Sequence, residues 1–397
     1  GTANTYIGIF IIMFSVISSG MVAVMTQNIG AGRPGVAYQA RQLGLAFNAV
    51  LGIILSLILA FGAGTILAGV GVADALMQPA RTYLQIVGGF CILNALIPIC
   101  SSYLRAFGFS KEPLYASIIG NVINFFLNAF FLFVLHKGVA GVATATVVSR
   151  IINLVIVVLL GAVLVKAKKH PERESNREVM GQIIRIGLPS ACETAIYNVS
   201  MTLVIRFLNQ MDAQGLNVTA RSYTMQITNF SYCVGAALAQ ANAIMTGWRI
   251  GAKEYDACDR GTRKAAIIGV IVAVILETMF ALCSGWIMQL FSKDPQMVSL
   301  VGKLLAIDIV LEMGRVTNLV YGQALKTSGD AVFPVVMGAC FMILCSVGGT
   351  YLFGIRLGLL AVGAYIGMAG DECVRAIGMY LRWKSGKWKQ KGLVKSR

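Results

Sequence analysis

Apolar residues come along this chain in long unbroken runs rather than in alternation. Eleven runs follow one another, at about 5–26, 42–70, 82–104, 113–135, 139–165, 186–208, 223–246, 265–291, 299–325, 331–353 and 357–381, joined mostly by short links. Each is about 20 residues or more, the length at which a helix crosses a bilayer. In lipid the backbone must satisfy its own hydrogen bonds, and barrel strands would show only ~10 alternating residues apiece. The pattern therefore predicts an all-α, polytopic membrane protein with eleven spans.

The runs also repeat. At an offset of 221 positions Ile29-Gly30-Ala31 falls on Ile250-Gly251-Ala252, Leu104-Arg105 on Leu325-Lys326, Gly108 on Gly329 and Pro113 on Pro334. After one deletion the offset becomes 220, and Gly138 and Val142 meet Gly358 and Val362. An offset held over that distance marks a duplicated architecture. The second copy opens with the run 186–208, which has no counterpart in the first. The expected organisation is two pseudo-symmetric helical lobes: an N-lobe at 1–165 with five spans, a link at 166–185, a C-lobe at 186–381 with six, and a basic tail at 382–397. An opening helix of the first copy is therefore expected to be missing, and the absence of an initiator Met and of any signal-peptide pattern fits an incomplete N-terminus.

Composition and charge refine this picture. Hydrophobic residues make up 57% of the chain and charged residues only 13%, which excludes an ordinary soluble domain. The net charge of +16 points to nucleic acid only until the basic residues are placed. Most lie in one alternating set of links and in the tail: Arg33, Arg41, Arg105, Lys111, the Lys166–Arg185 link, Arg249–Lys264, Lys326, and Arg382 onward. Such an excess marks the cytoplasmic side. The expectation is a multi-pass protein of the cell membrane with a cytoplasmic C-terminus, the lipid bilayer as partner and no nucleic acid. The tail Arg382-Trp383-Lys384-Ser385-Gly386-Lys387-Trp388 is expected to rest on the membrane surface with its tryptophans at the interface.

Chemistry-bearing motifs are few. The nine cysteines have no CxxC spacing, and His136 and His170 cannot build a metal site alone. No GxSxG, HExxH or Walker sequence occurs, so no enzyme and no cofactor are expected. Asn217-Val218-Thr219 matches a glycosylation sequon, but with no sign of a secretory pathway it reads as a polar turn.

What remains is polarity inside the apolar runs, where an ionisable group costs several kcal/mol unless paired or hydrated. Glu193 follows Gly187-Leu188-Pro189, with Tyr197 and Ser200 on its helical face. It either faces a cavity or reaches from the span's end toward water. Asp308, Glu312 and Arg315 lie at i, i+4 and i+7, with Asn318 and Gly322 continuing that face. They read as a site that trades H⁺ or Na⁺ for a cation, or as a static Glu312–Arg315 pair. Glu277 has no partner in register, and Asp371 and Arg375 are spaced as a structural ion pair. Asn121, Asn124 and Asn128 share one face that Thr144 and Thr146 could meet, either to bind a ligand or to fasten helices.

Gln27-Asn28-Ile29-Gly30-Ala31-Gly32-Arg33, Leu104-Arg105-Ala106-Phe107-Gly108, the stretch 120–128 with its three asparagines, the stretch 138–146, Gly187-Leu188-Pro189, Ala324-Leu325-Lys326-Thr327-Ser328-Gly329-Asp330 and the tail 382–388 give the chain a resemblance to the multidrug and toxic compound extrusion (MATE) transporters along its whole length. The resemblance implies alternating access, and export of organic cations or drugs by a monomer in exchange for Na⁺ or H⁺. By position Asn124 and Thr146 match N-lobe polar residues of some members, while Asn128 stands where Asp is frequent. Arg315 takes the place of a C-lobe Asp, with Glu312 one turn earlier, so the expected coupling residues are Glu193 and Glu312, with Na⁺ near either as a candidate. The N-lobe is expected to be impaired without its opening helix. The rival readings are a flippase for a lipid-linked or polysaccharide precursor, and a membrane scaffold or intramembrane enzyme.

Overall fold

The computed structural model describes residues 2–69, 74–166, 171–211 and 215–394, and among these every regular element is helical. In chain order these are α1 (Thr2–Gly30), α2 (Pro34–Gly69), α3 (Asp74–Tyr83), α4 (Ile92–Ala106), α5 (Lys111–Ala129), α6 (Gly138–Leu164), α7 (Asn176–Met211), α8 (Leu216–Gly251), α9 (Tyr255–Leu282), the short α10 (Ser284–Met288), α11 (Pro295–Ser328), α12 (Val332–Phe341) and α13 (Leu360–Lys384). Each predicted run falls on helix. The run 82–104 is not one straight helix, however: a π-helical turn at Leu84–Gly88 leads to a 41° bend before Ile92. π-Helical turns also extend α5 to Val134 and follow α12 as far as Arg356.

Five of these helices (α2, α5 with its extension, α6, α9, and α12 with its extension) are long and apolar enough to cross a membrane by length and composition alone, and the bent pair makes a sixth. The long helices α7, α8, α11 and α13 are diluted by polar and charged residues. That dilution is where the site lies.

The repeat is visible in backbone geometry. With the offset of 221, the end of α1 at Gly30 falls on the end of α8 at Gly251, and the start of α2 at Pro34 on the start of α9 at Tyr255. The turns after α4 and α11 both use a left-handed glycine, Gly108 at φ +90° and Gly329 at φ +98°. Only a residue without Cβ adopts that conformation cheaply, and it satisfies the last helical carbonyls.

The chain divides into two compact units, Gly1–Ala191 and Cys192–Arg397. In the first, α1 and the opening half of α7 approach backbone to backbone. A Cβ on Gly20 would stand 1.9 Å from the Ile183 carbonyl oxygen, and one on Gly187 would stand 1.7 Å from that of Val16. Small residues are how membrane helices gain contact without a hydrophobic driving force. The polar link is docked here as well: Arg33 pairs with Glu174, Gln39 Nε2 donates to the Glu174 carbonyl at 2.7 Å, and Arg173 donates to that of Gly35 at 2.9 Å. From Asn176 the expected link is already helix; Lys168, Lys169 and His170 lie outside the described residues.

In the second unit α11 is the central helix, packed by α8, α9 and α13. One apolar cluster includes Leu304, Leu305, Leu311 and Tyr365; another includes Val316, Val320, Tyr321 and Trp383. The charged stretch of α11 falls between them. The tail departs from the expected surface anchor. Trp383 and Trp388 are buried and stacked at 4.1 Å, and the Trp388 indole donates to the Trp383 carbonyl at 2.9 Å. Trp383 donates to Asp259 at 2.9 Å and Arg382 to Asp330 at 2.7 Å. Two stacked indoles with both N–H groups satisfied have more to gain inside the protein than at a lipid interface. Asn217 is also buried, and accepts from the Ala361 amide at 3.1 Å, so it anchors the start of α13 rather than offering a glycosylation site.

Candidate functional site

The second unit concentrates the buried charge. On α11, Asp308, Glu312 and Arg315 occupy one stripe, because steps of four and three residues return to the same helical face. Arg315 bonds Glu312 on its own helix and Glu372 on α13, the latter at 3.4 Å. Glu372 is the hub: it also meets Arg375 at 3.0 Å and accepts from Asn318 at 3.0 Å. Asp371 holds Arg375 through two bonds, of 2.8 and 3.0 Å, and accepts from Ser346 at 2.9 Å. Two guanidinium groups are thus shared among three carboxylates.

Around Arg315, carboxylate oxygens without a hydrogen-bond partner among the described residues include both of Glu277, Oδ2 of Asp308 and Oε2 of Glu312. Glu277 and Glu312 are fully buried, and Asp308 is 2% exposed. Glu277 projects from α9 toward Ser231 on α8, with Asp308, Glu312 and Arg315 as its charged neighbours. Buried carboxylates that outnumber the guanidinium groups beside them are costly by several kcal/mol, so this acid excess requires neutralisation.

Two cavities flank Arg315. One, of about 240 Å³, is lined by Glu193, Tyr197, Tyr232, Asn318, Lys326 and Glu372 among others. The second, of about 260 Å³, includes Arg221, Thr228, Asn229, Asp308 and Tyr365. Tyr197, Tyr232 and Arg315 line both. The Arg315 guanidinium lies 5.9 Å from the Tyr232 ring centroid. Aromatic faces beside carboxylates are suited to a desolvated organic cation.

The sites expected for a bound Na⁺ hold the protein's own cations: Lys326 pairs with Glu193, and Arg315 with Glu312. Lys326 stands in α11, not in a link as its charge had suggested. Its signal was present in the sequence, since 308, 312, 315, 319, 322 and 326 continue one stripe in steps of four and three. Glu372 gave a weaker signal, being i, i+3 from Arg375 beside the more evident Asp371–Arg375 pair.

The polar residues of the first unit form a separate, uncharged group. Asn128 donates to Asn124 at 3.0 Å, and Asn124 donates to Ser149 at 3.3 Å. Thr144 and Thr146 do not meet these amides; each hydroxyl donates to a carbonyl of its own helix, Ala140 at 2.8 Å and Val142 at 2.9 Å. A threonine hydroxyl inside an apolar helix finds that carbonyl one turn back before any neighbour.

The MatE family model matches residues 1–130 and 189–352. The uncharacterized transporter YisQ of Bacillus subtilis (strain 168) is 32% identical over 99% of this chain and 88% of its own length. The probable multidrug resistance protein NorM of Thermotoga maritima is 22% identical, over 99% of this chain and 86% of its own. A crystal structure of MATE in the bent conformation shares the fold at a TM-score of 0.88, with 18% identity, covering 98% of this chain and 86% of that one.

Proposed function

Because the chain belongs to the MATE family of membrane transporters and is not an enzyme, we propose that it exports organic cations in exchange for protons. One observation carries the reading: Asp308, buried with an unpartnered oxygen, lines a cavity together with three tyrosines, and the fully buried Glu277 has Asp308 as its charged neighbour. Arg315 and Arg375 are already committed to Glu312, Asp371 and Glu372. The surplus acids therefore require a mobile positive charge. A proton needs no cage of ligands, whereas Na⁺ would need several oxygens around it, and this favours H⁺ over Na⁺.

In this mechanism Glu277 and Asp308 carry the exchanged proton, and Glu193, Tyr197 and Tyr232 receive the substrate cation. Arg315 links the two cavities because it lines both. A cation bound on one side of Arg315 disfavours a proton held on the other, so each drives release of the other in an alternating-access cycle. The multidrug resistance names carried by relatives such as the Thermotoga NorM support drug-like cargo. Asn124 ties α5 to α6 through Ser149, Asn128 and Thr146 bond within their own helices, and none of the three carries a coupling ion.

The test is ethidium transport by the full-length protein in liposomes under an imposed pH or Na⁺ gradient. The pH gradient accelerates transport, and Glu277→Gln and Asp308→Asn each remove that acceleration. Acceleration by Na⁺ alone would contradict the choice of proton. Indifference to both gradients would contradict antiport.

A further inference from the structure

The Glu193–Lys326 pair differs from the ion pairs that Arg315 and Arg375 make beside it. Arg315 and Arg375 are each bound by two carboxylates and rigidly placed. Lys326 has one acidic partner, and both members of its pair are 14% exposed on the wall of the smaller cavity. A lysine is a compact charge on a flexible four-carbon stem, so it leaves a carboxylate more readily than a forked guanidinium does. Space for exchange is built in on the other side: a Cβ on Gly338 would stand 3.3 Å from Glu193 Cγ, so glycine leaves room there that any side chain would reduce. Tyr197 and Tyr232 line the same cavity and offer aromatic faces to whatever cation takes the lysine's place.

We propose that Lys326 is a tethered surrogate for the transported cation: it occupies Glu193 in the unloaded protein, and an organic monocation binds by displacing it. The inference rests on the reading of this cavity as the substrate site. Two consequences follow. Glu193 is never left unpaired between transport cycles, which avoids the cost of a bare carboxylate in a poorly hydrated wall. Affinity is also held down, because every ligand competes with an ammonium whose tether gives it a high effective concentration. Lys326 thereby sets both the affinity threshold and the preference for a positively charged group at this wall.

The experiment is equilibrium binding of methyltriphenylphosphonium to the purified full-length protein in detergent. Lys326→Met should tighten binding by about 10-fold, and Glu193→Gln should weaken it by about as much. In the Glu193→Gln background, Lys326→Met should have no tightening effect, because the competitor and the site act through one contact. Lys326→Arg, which keeps the charge, should bind no tighter than the wild type and serves as the control for folding at this position. If Lys326→Met binds no tighter than the wild type while Glu193→Gln weakens binding, the surrogate is refuted and the cavity reading stands. If neither Glu193→Gln nor Lys326→Met changes binding, the cavity reading fails as well.

Discussion

Gly314 on α11 allows the close helix contact on which the charged hub depends. A Cβ placed there would stand 2.8 Å from the Cys373 amide nitrogen and 2.8 Å from the Glu372 carbonyl carbon, both backbone atoms of α13. Ordinary contact begins near 3.4 Å, so Gly314→Ala must separate the two helices by about 0.6 Å. Overpacking of this kind costs about 1–3 kcal/mol. The same shift lengthens the Arg315–Glu372 contact, now 3.4 Å, toward the limit of an ion pair. Gly370, on α13 with nothing within 4 Å of its virtual Cβ, supplies the control. Gly370→Ala should stabilise by about 0.5–1 kcal/mol, because alanine is the better helix former. The contrast between the two variants is thus roughly 2–4 kcal/mol, or on the order of 5–15 °C in apparent Tm for a unit of this size. Thermal unfolding of the purified protein in detergent, followed by thiol-reactive dye, measures it directly. Equal Tm for the two alanine variants would refute the proposed packing.

Other sites give sharper outcomes in simpler assays. Gly187→Val, whose Cβ would overlap the Val16 carbonyl, should abolish accumulation of folded protein in membranes, read by size-exclusion of a fluorescent fusion. Trp388→Ala removes the stacked partner of Trp383, and should lower stability by about 3–5 kcal/mol and erase the near-ultraviolet circular dichroism of the indole pair. Asp371→Ala leaves Arg375 only Glu372, and should cost about 3–5 kcal/mol in thermal stability as a broken buried pair. Asn128→Ala deletes one amide–amide bond within α5 of the first unit, and should leave gradient-driven ethidium transport within twofold of the wild type.

Span positions and the duplication were legible in the sequence because both depend on local patterns: runs of apolar residues, and glycines such as Gly108 and Gly329 recurring at one offset. The bend before Ile92 was not legible, since Leu84–Gly88 lies inside one continuous apolar run and a π-helical turn leaves hydropathy unchanged. The stripe Asp308, Glu312, Arg315 could be read by register, and Lys326 lay on the same stripe two turns beyond Leu319. Its assignment to a link followed from counting charge by sequence position, when α11 in fact runs on to Ser328. Glu372 as hub and Ser149 as partner of Asn124 depend on which helices touch, information that no single helix carries. The tail misled for a related reason: tryptophans among lysines describe an interfacial anchor and a docked strap equally well until Asp259 and Asp330 are placed beneath them.

Substrate binding at Glu193 is coupled to the protons held on the surplus acids Glu277 and Asp308 of the second unit. Proton release on substrate binding tests it most directly. In weakly buffered detergent solution, saturating methyltriphenylphosphonium should release protons from the wild type, detected by a pH-sensitive dye. The doubly substituted protein, Glu277→Gln with Asp308→Asn, should bind the cation and release none. Proton release of the same size from both proteins would contradict the account.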